Sequence, residues 1–322
     1  MRAPSSVVLV AAAVLGCGAR TALELSTVEV DASSLDATDA RAPFVCGYGS
    51  VIDVVYVLDA SATAVGERDV AIGLAADTLE ELSGCSSVRL GVITDDLGAG
   101  GHSIDRCVGM GDDARLLTVG ARGSLYVEGD ADDLASALRA AVRERPYGCG
   151  YERPFDAMSR FASSAQLGEF HRSGAPLIFL YVAEEDDCSP RDAHSLFDPR
   201  FAGDPDVLCF VVGESLLVEE GGVADLLVRA TPDHVGFGLI AGFEPEDLAR
   251  IDAESLLEAA ARYETRDRFA DRSCGDETIP PVRTTRLAVE LLNRGAAVGV
   301  GSYCDDGGRT VGEQLLAALG AP

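Results

Sequence analysis

The feature that most limits how this chain can fold is a regular alternation of apolar runs with amphipathic segments. The apolar runs predict strands at residues 51–58, 88–94, 176–183, 207–212, 236–243 and 296–302. The amphipathic segments predict helices at residues 67–82, 131–143, 153–165, 245–263, 282–293 and from about 311, with a short strand or hairpin within 116–127. Strands read as continuous apolar runs when helices cover both faces of a parallel sheet. The sequence therefore predicts an α/β fold with a doubly wound, mostly parallel sheet and helices on both faces.

The charge of the chain excludes several classes of function. Its 322 residues include 53 acidic and 26 basic side chains, for a formal net charge of −27, and every basic residue is an arginine. Without lysine the chain can have no Walker-type phosphate loop, no Schiff-base chemistry and no lysine general base. The negative charge repels phosphate backbones and anionic lipid, so we expect no nucleic-acid partner. Most of the carboxylates are expected to solvate the surface, and cations are the natural small partners.

The N-terminus has the pattern of an export signal. Arg2 precedes an apolar run at residues 7–15, which is too short for a permanent membrane helix, and Gly16 and Cys17 follow it. The letters "VLGC" also resemble the bacterial lipobox, whose cysteine becomes the lipid-modified first residue of the mature protein. We therefore expect a signal peptide at residues 1–16 and lipidation of Cys17. An ordinary secretory signal with a chance cysteine is the alternative, and both interpretations predict export.

The residues after Cys17 predict how the protein is held at the cell surface. Residues 17–45 are polar and acidic without convincing periodicity, which is typical of a flexible tether. Gly18, rather than an aspartate, follows the cysteine and suits sorting to an outer membrane. We expect a cell-envelope lipoprotein of the outer membrane that contacts the membrane only through its lipid anchor.

The remaining cysteines predict a disulfide framework. Apart from Cys17 there are eight, at positions 46, 85, 107, 149, 188, 209, 274 and 304. An even number is expected of an exported protein with disulfides, and eight cysteines allow 105 pairings. No pair has the C-x-x-C spacing and few histidines lie near them, so zinc is poorly supported. Some, above all Cys209 in its apolar run, could instead be buried thiols.

Oxygen-bearing side chains follow two of the predicted strands. Asp59 ends the first apolar run, with Ser61 and Thr63 close behind, and the acids of 184–187 end the most apolar run. The carboxyl ends of parallel strands meet at one edge of a sheet, where ligands bind. Magnesium prefers one or two carboxylates, neutral oxygens and retained water. The pattern D-x-S-x-T is equally typical of a helix cap, so by itself it does not specify a metal site.

Six segments, in order, resemble the von Willebrand factor type A domains, and specifically those of secreted or lipid-anchored bacterial proteins. They are "IDVVYVLDASAT", "RLGVITDDLG", "GCGYERPFDAM", "PLIFLYVAEEDDCS", "RTTRLAVELL" and "VGSYCDD", and they span most of residues 51–306. The resemblance implies one such domain, with insertions, over residues 46–322. It also implies a metal ion-dependent adhesion site, in which D-x-S-x-S is completed by a threonine and a later aspartate.

The resemblance transfers to this chain residue by residue, with departures. Asp59 and Ser61 match, Thr63 keeps the hydroxyl of a serine, Glu152 stands where the family has its threonine, and Glu184 where it has its aspartate. The implied cofactor is Mg²⁺ or Ca²⁺. Three carboxylates would leave the ion less able to attract an acidic partner, and calcium tolerates such a set better.

Two readings of this altered site remain open. The ion could be absent and the residues kept for helix caps and hydrogen bonds. Alternatively, Arg153 could neutralise Glu152, its neighbour in the chain.

The resemblance also implies two disulfide pairings. The family fold places the loop that contains Cys149 and the loop that contains Cys188 at one edge, which predicts a bond between these two cysteines. Cys274 with Cys304 is the second predicted pairing, because the intervening helix and strand return the chain to a neighbouring position.

Together these features predict an envelope-anchored binding or adhesion module that uses its cation site to bind a protein or other macromolecule. We expect no enzymatic activity, since the histidines have no nucleophile pattern near them and paired acids such as Asp95 and Asp96 are typical of solvated turns. A metal-dependent hydrolase at the same strand ends and a ligand-free structural lipoprotein are the alternatives.

Overall fold

The computed structural model describes residues 50–60, 65–98, 107, 111–120, 123–144, 148–149, 151–182, 185–192, 215–231, 234–248, 250–264, 278 and 281–320. The signal peptide, the tether and the predicted strand 207–212 lie outside these residues. The domain boundaries proposed from the sequence therefore stay predictions.

The core of the domain is one six-stranded sheet. Its strands are β1 (Val51–Leu58), β2 (Ser87–Thr94), β3 (Val127–Gly129), β4 (Leu177–Val182), β5 (Val235–Ala241) and β6 (Ala297–Ser302). Their order across the sheet is β3-β2-β1-β4-β5-β6. Every neighbouring pair is parallel except β2 and β3, which are antiparallel. This arrangement confirms the predicted α/β fold class.

Helices cover both faces of the sheet. They are α1 (Val65–Cys85), α2 (Ala131–Glu144), α3 (Pro154–Ala162), α4 (Ala165–Phe170), α5 (Glu220–Ala230), α6 (Ala253–Glu264), α7 (Val282–Asn293) and α8 (Gly307–Ala318). The helices α1, α2 and α8 pack on one face, and α3 to α7 pack on the other. Residues of β1 alternate between the two cores, with Tyr56 in the first and Val57 in the second. Both faces are therefore apolar, which explains why the strands read as unbroken apolar runs.

The elements differ from the sequence prediction in four places. The predicted helix 153–165 is two helices, α3 and α4, and the predicted helix 245–263 is a 3₁₀ turn (Pro245–Leu248) followed by α6. The break before α6 has a local cause, because Asp252 Oδ1 accepts a 2.8 Å hydrogen bond from the backbone N–H of Ser255 and so caps the helix. The helix α5 was not predicted, and the strand expected within 116–127 begins only at Val127.

None of the helices in the described ranges combines the length and the apolar character that a membrane crossing requires.

Candidate functional site at the β1–β4 edge

The order of the strands fixes where a ligand would bind. From β1 the chain moves outward to β2 on one side, whereas β4 is followed outward by β5 on the other side. In open α/β sheets the crevice lies beyond the carboxyl ends of the strands at this reversal. Asp59 and Ala60 come directly after β1 at this point, and residues 185–187 follow shortly after β4. The fold therefore places Asp59, the first residue of the predicted metal motif, at the expected position.

Asp95 reaches the same edge from the end of β2. It is 1% exposed, and its Oδ1 accepts a 2.9 Å hydrogen bond from the backbone N–H of Ala60. Within the described part of the chain, its other oxygen, Oδ2, is buried and has no hydrogen-bond partner. Burial raises the pKa of Asp95 well above its usual value, and the charge of Asp59 raises it further. The expectation that Asp95 and Asp96 form a solvated turn is therefore wrong, since Asp96 is also buried.

Glu152 lies at this edge too, just before α3. Its side chain is buried, and its carbonyl oxygen accepts a 2.7 Å hydrogen bond from the backbone N–H of Cys188. Burial raises the pKa of Glu152 well above its usual value, and the charges of Glu185, Asp59 and Asp95 add to the increase. A contact between the carboxyl groups of Glu152 and Glu185 also raises the pKa of Glu152. Glu152 therefore comes to the predicted edge, but its carboxyl group is engaged by Glu185.

Tyr181 adds a hydroxyl that the sequence analysis did not identify. Its backbone pairs with Val57 in the register of β4 and β1, on the face that α3 covers. The side chain is fully buried, and among the described residues its hydroxyl has no hydrogen-bond partner. Burial raises the pKa of Tyr181 well above its usual value, and the carboxylates of Asp59, Asp95 and Glu152 raise it further. The hydroxyl of Tyr181 is therefore subject to the charges of the same three acidic residues.

Arg153 does not neutralise Glu152. Its guanidinium forms an ion pair with Asp156 and donates a 3.3 Å hydrogen bond to the carbonyl oxygen of Gly98. Burial lowers the pKa of Arg153, and the negative charge of Asp156 opposes this effect. The guanidinium of Arg153, the residue next to Glu152 in the chain, is thus paired with Asp156.

Two of the acids after β4 serve the fold instead of the site. Asp186 accepts hydrogen bonds from the backbone N–H groups of Arg283 and Thr284, at 2.8 Å and 3.0 Å, which caps the N-terminus of α7. Asp187 accepts a 3.1 Å hydrogen bond from the N–H of Phe155 in the first turn of α3 and forms an ion pair with Arg283. Of the acids 184–187, Glu185 is the one that the described contacts bring to Glu152.

The disulfides differ from the predicted pairing. Cys149 is bonded to Cys107, so the predicted bond between Cys149 and Cys188 is wrong. The underlying proximity is correct, because the N–H of Cys188 bonds the carbonyl of Glu152, three residues after Cys149. Cys107 comes from the long loop after β2, whose path the resemblance did not specify. Cys188 and Cys304 are also disulfide-bonded.

Several predicted residues lie outside the described part of the chain. These are Ser61, Thr63 and Glu184 of the metal site, the lipidation residue Cys17, and Cys274 of the second pairing. Within the described residues, no three side chains of the types His, Cys, Asp and Glu are placed so as to hold a metal ion. Because Glu184 lies outside these residues, the roles of Asp59, Glu152 and Glu184 as ligands stay predictions.

Comparison with known proteins finds similarities among solved structures alone. No family model matches it, and no curated protein matches it. Among solved structures, a von Willebrand factor type A protein from Catenulispora acidiphila is 10% identical, with a TM-score of 0.32 over 84% of this chain and 42% of that one. The PilB minor pilin from Streptococcus sanguinis is 9% identical, with a TM-score of 0.40 over 84% of this chain and 60% of that one. The SpaC pilus adhesin from Lactobacillus rhamnosus GG is 11% identical, with a TM-score of 0.36 over 84% and 30%.

The matched region covers less than two thirds of each of these three solved chains. The identities and TM-scores are too low for these proteins to indicate what this chain binds.

Proposed function

We propose that this protein is an exported cell-envelope binding module that holds a divalent cation at the β1–β4 edge and binds a macromolecule there. The observation that carries the proposal is the burial of Asp59, Asp95 and Glu152 together, with a carboxylate oxygen, Asp95 Oδ2, that no described residue bonds. Buried carboxylates are costly unless they are paired with positive charge. A buried polar atom without a partner is a common sign of an ion or a water molecule.

The donor chemistry of this edge fits a hard divalent cation. Carboxylate and hydroxyl oxygens are the ligands that Mg²⁺ and Ca²⁺ prefer, and the described residues near Asp59 supply oxygen but neither imidazole nor thiol. Asp59 would hold the ion with the hydroxyls of Ser61 and Thr63, and Glu152 and Glu184 are the further ligands that the sequence predicts. A bound cation would supply positive charge and an open coordination position for an oxygen of the partner.

The disulfides support export. Cys107 and Cys149 are bonded, and Cys188 and Cys304 are also in disulfides. Disulfides form and persist in oxidising compartments such as the periplasm and the cell surface. This agrees with the export signal predicted from the N-terminal sequence. The lipid anchor at Cys17 is a part of the proposal that rests on the sequence alone.

Cation-dependent thermal stability tests the proposal. An ion that binds the folded state raises the melting temperature by an amount that grows with the logarithm of ion concentration. We expect this rise with calcium or magnesium in the wild-type protein and its loss in Asp59→Ala. Glu258→Ala removes one charge from an exposed position on α6 and should leave the rise unchanged. A wild-type melting temperature that neither ion alters would contradict the proposed cation site.

A further inference from the structure

The end of β2 brings a carboxylate to this edge that the sequence motif does not include. Asp95 uses one oxygen to bond the N–H of Ala60, the residue after Asp59, at 2.9 Å. Its other oxygen is buried and unbonded among the described residues. A carboxylate whose second oxygen served only the fold would be expected to find a backbone or side-chain donor. The hydrogen bonds of the described residues therefore do not account for this second oxygen of Asp95.

The hydroxyl of Tyr181 is a second, independent sign of a ligand. It comes from β4, on the opposite side of β1 from β2, so Asp95 and Tyr181 flank the strand that ends in Asp59. The tyrosine is fully buried, and no described atom bonds its hydroxyl. Asp59, Asp95 and Glu152 all act on this hydroxyl electrostatically. The second oxygen of Asp95, after β2, and the hydroxyl of Tyr181, in β4, thus both lack a partner among the described residues, and both groups are subject to the charge of Asp59.

We propose that Asp95 is the second carboxylate ligand of the divalent cation at Asp59, and that Tyr181 is a positioning residue whose hydroxyl bonds a water molecule on that cation. The inference rests on the cation site of the proposed function and adds residues to it. It gives Asp95 a ligand role that the resemblance does not, since the resemblance places Glu152 at the position of the family's threonine and Glu184 at that of its aspartate.

The contacts of the two candidate ligands support this choice. The carboxyl group of Glu152 contacts that of Glu185. Within the described residues, Asp95 Oδ2 has no hydrogen-bond partner. A site with two carboxylates, neutral oxygens and retained water is the usual arrangement for magnesium.

Titration calorimetry of the folded domain with magnesium and with calcium tests the inference. Asp95→Asn keeps an oxygen that can accept from Ala60 and removes the charge, and we expect it to weaken ion binding by about 10- to 100-fold. Asp96→Asn is the matched control, because it removes the same charge one residue further on. Asp96 Oδ1 accepts a 2.9 Å hydrogen bond from the N–H of Gly98, which asparagine can also accept. The control should therefore weaken binding much less.

Tyr181→Phe separates ion binding from folding. Without ions, loss of an unbonded buried hydroxyl should leave the melting temperature unchanged or raise it. With ions, the same variant should show a smaller ion-dependent rise than the wild type. A purely structural role for the hydroxyl would not produce these opposite effects. In a crystal with calcium, anomalous density in contact with Asp95 Oδ2 would support the inference directly.

The outcomes distinguish this inference from the function on which it rests. If the wild type binds no ion, the proposed cation site itself fails. If the wild type binds an ion and Asp95→Asn weakens it no more than Asp96→Asn, Asp95 is not a ligand although the site exists. Greater loss in Glu152→Gln than in Asp95→Asn would likewise overturn the inference and return the role to Glu152.

Discussion

The backbone N–H of Gly148 donates a 2.7 Å hydrogen bond to the carbonyl oxygen of Ala60, which joins the loop before α3 to the end of β1. The two residues are so close that a Cβ atom on Gly148 would lie 2.8 Å from both the Cβ and the carbonyl oxygen of Ala60. It would also lie 3.0 Å from the Cβ of Asp96. Glycine is therefore required here by close approach, and this contact holds the loop that leads to Glu152 against the residue that follows Asp59.

Gly148→Ala should accordingly disturb both stability and the cation site. A methyl group forced into a packed contact costs about 1 to 3 kcal/mol of unfolding free energy. We expect denaturant unfolding to show this loss and calorimetry to show weaker ion binding, because Ala60 must move. Gly168→Ala is the control, since Gly168 is exposed in α4 with nothing within 4 Å of the added Cβ. That change should stabilise by about 0.5 to 1 kcal/mol. Equal changes in unfolding free energy and in ion affinity for Gly148→Ala and Gly168→Ala would contradict this account of Gly148.

The disulfide between Cys107 and Cys149 gives a second prediction. It closes a loop with a sequence separation of 42 and lies three residues before Glu152. Replacing both cysteines by serine should lower the unfolding free energy by about 2 to 4 kcal/mol. Peptide mapping without reductant should recover Cys107 joined to Cys149, and a peptide joining Cys149 to another cysteine would refute the pairing.

The sequence predicted the sheet well because of the way the sheet is buried. All residues of β4 and β5 are buried, so each strand appears as an unbroken apolar run. The helix α5 was missed because Gly221 and Gly222 fall within it, and glycine has a low helix propensity that weakens the pattern. Within a longer amphipathic stretch, the residue at which a helix begins depends on local caps such as Asp252. The spacing of the apolar residues does not reveal these caps.

The site was less predictable than the fold. Asp59 could be found because it ends an apolar run within a recognisable motif. Asp95 could not, since two adjacent acids after a strand are usual in a solvated turn. Its burial and its hydrogen bond to the N–H of Ala60 become visible only when β1 and β2 are paired. Tyr181 reads as one more apolar residue of its strand, and the position of its hydroxyl becomes visible only when β1 and β4 are paired.

The N-terminal pattern "VLGC" leads to a prediction about the mature protein. If it acts as a lipobox, the native protein should begin at Cys17 with a diacylated side chain, and mass spectrometry of its N-terminal peptide should find this mass. Cys17→Ser should release the protein from the membrane fraction, because the lipid on Cys17 is the proposed membrane anchor and serine cannot carry it. A native chain that begins elsewhere and carries no lipid would exclude the lipoprotein assignment but not export.

The buried ion pair between Arg283 and Asp187 gives the last prediction, since it orients the acidic loop beside the candidate site. Arg283 is 6% exposed in its side chain, and its Nη2 lies 3.1 Å from Asp187 Oδ2. Arg283→Met would leave Asp187 buried without its cation, at a cost of about 3 to 5 kcal/mol near neutral pH. Arg309→Met is the control, because the Arg309 side chain is 63% exposed and pairs with Glu81 at 3.4 Å. An exposed pair of this kind contributes about 0 to 1 kcal/mol.

The cost of Arg283→Met should also depend on pH. Burial already raises the pKa of Asp187 above the usual value for an aspartate, against the lowering effect of Arg283, and removal of the arginine should raise this pKa further. Between the unfolded and the folded pKa the folded state then holds more protons than the unfolded state, so the variant loses stability as the pH rises through this window. Urea unfolding should therefore show a larger difference between variant and wild type at about pH 7 than at about pH 4. The Arg309→Met difference should change little, because no comparably buried acid loses its partner. A difference for Arg283→Met that is the same at both pH values would mean that Asp187 does not depend on Arg283 for its charge.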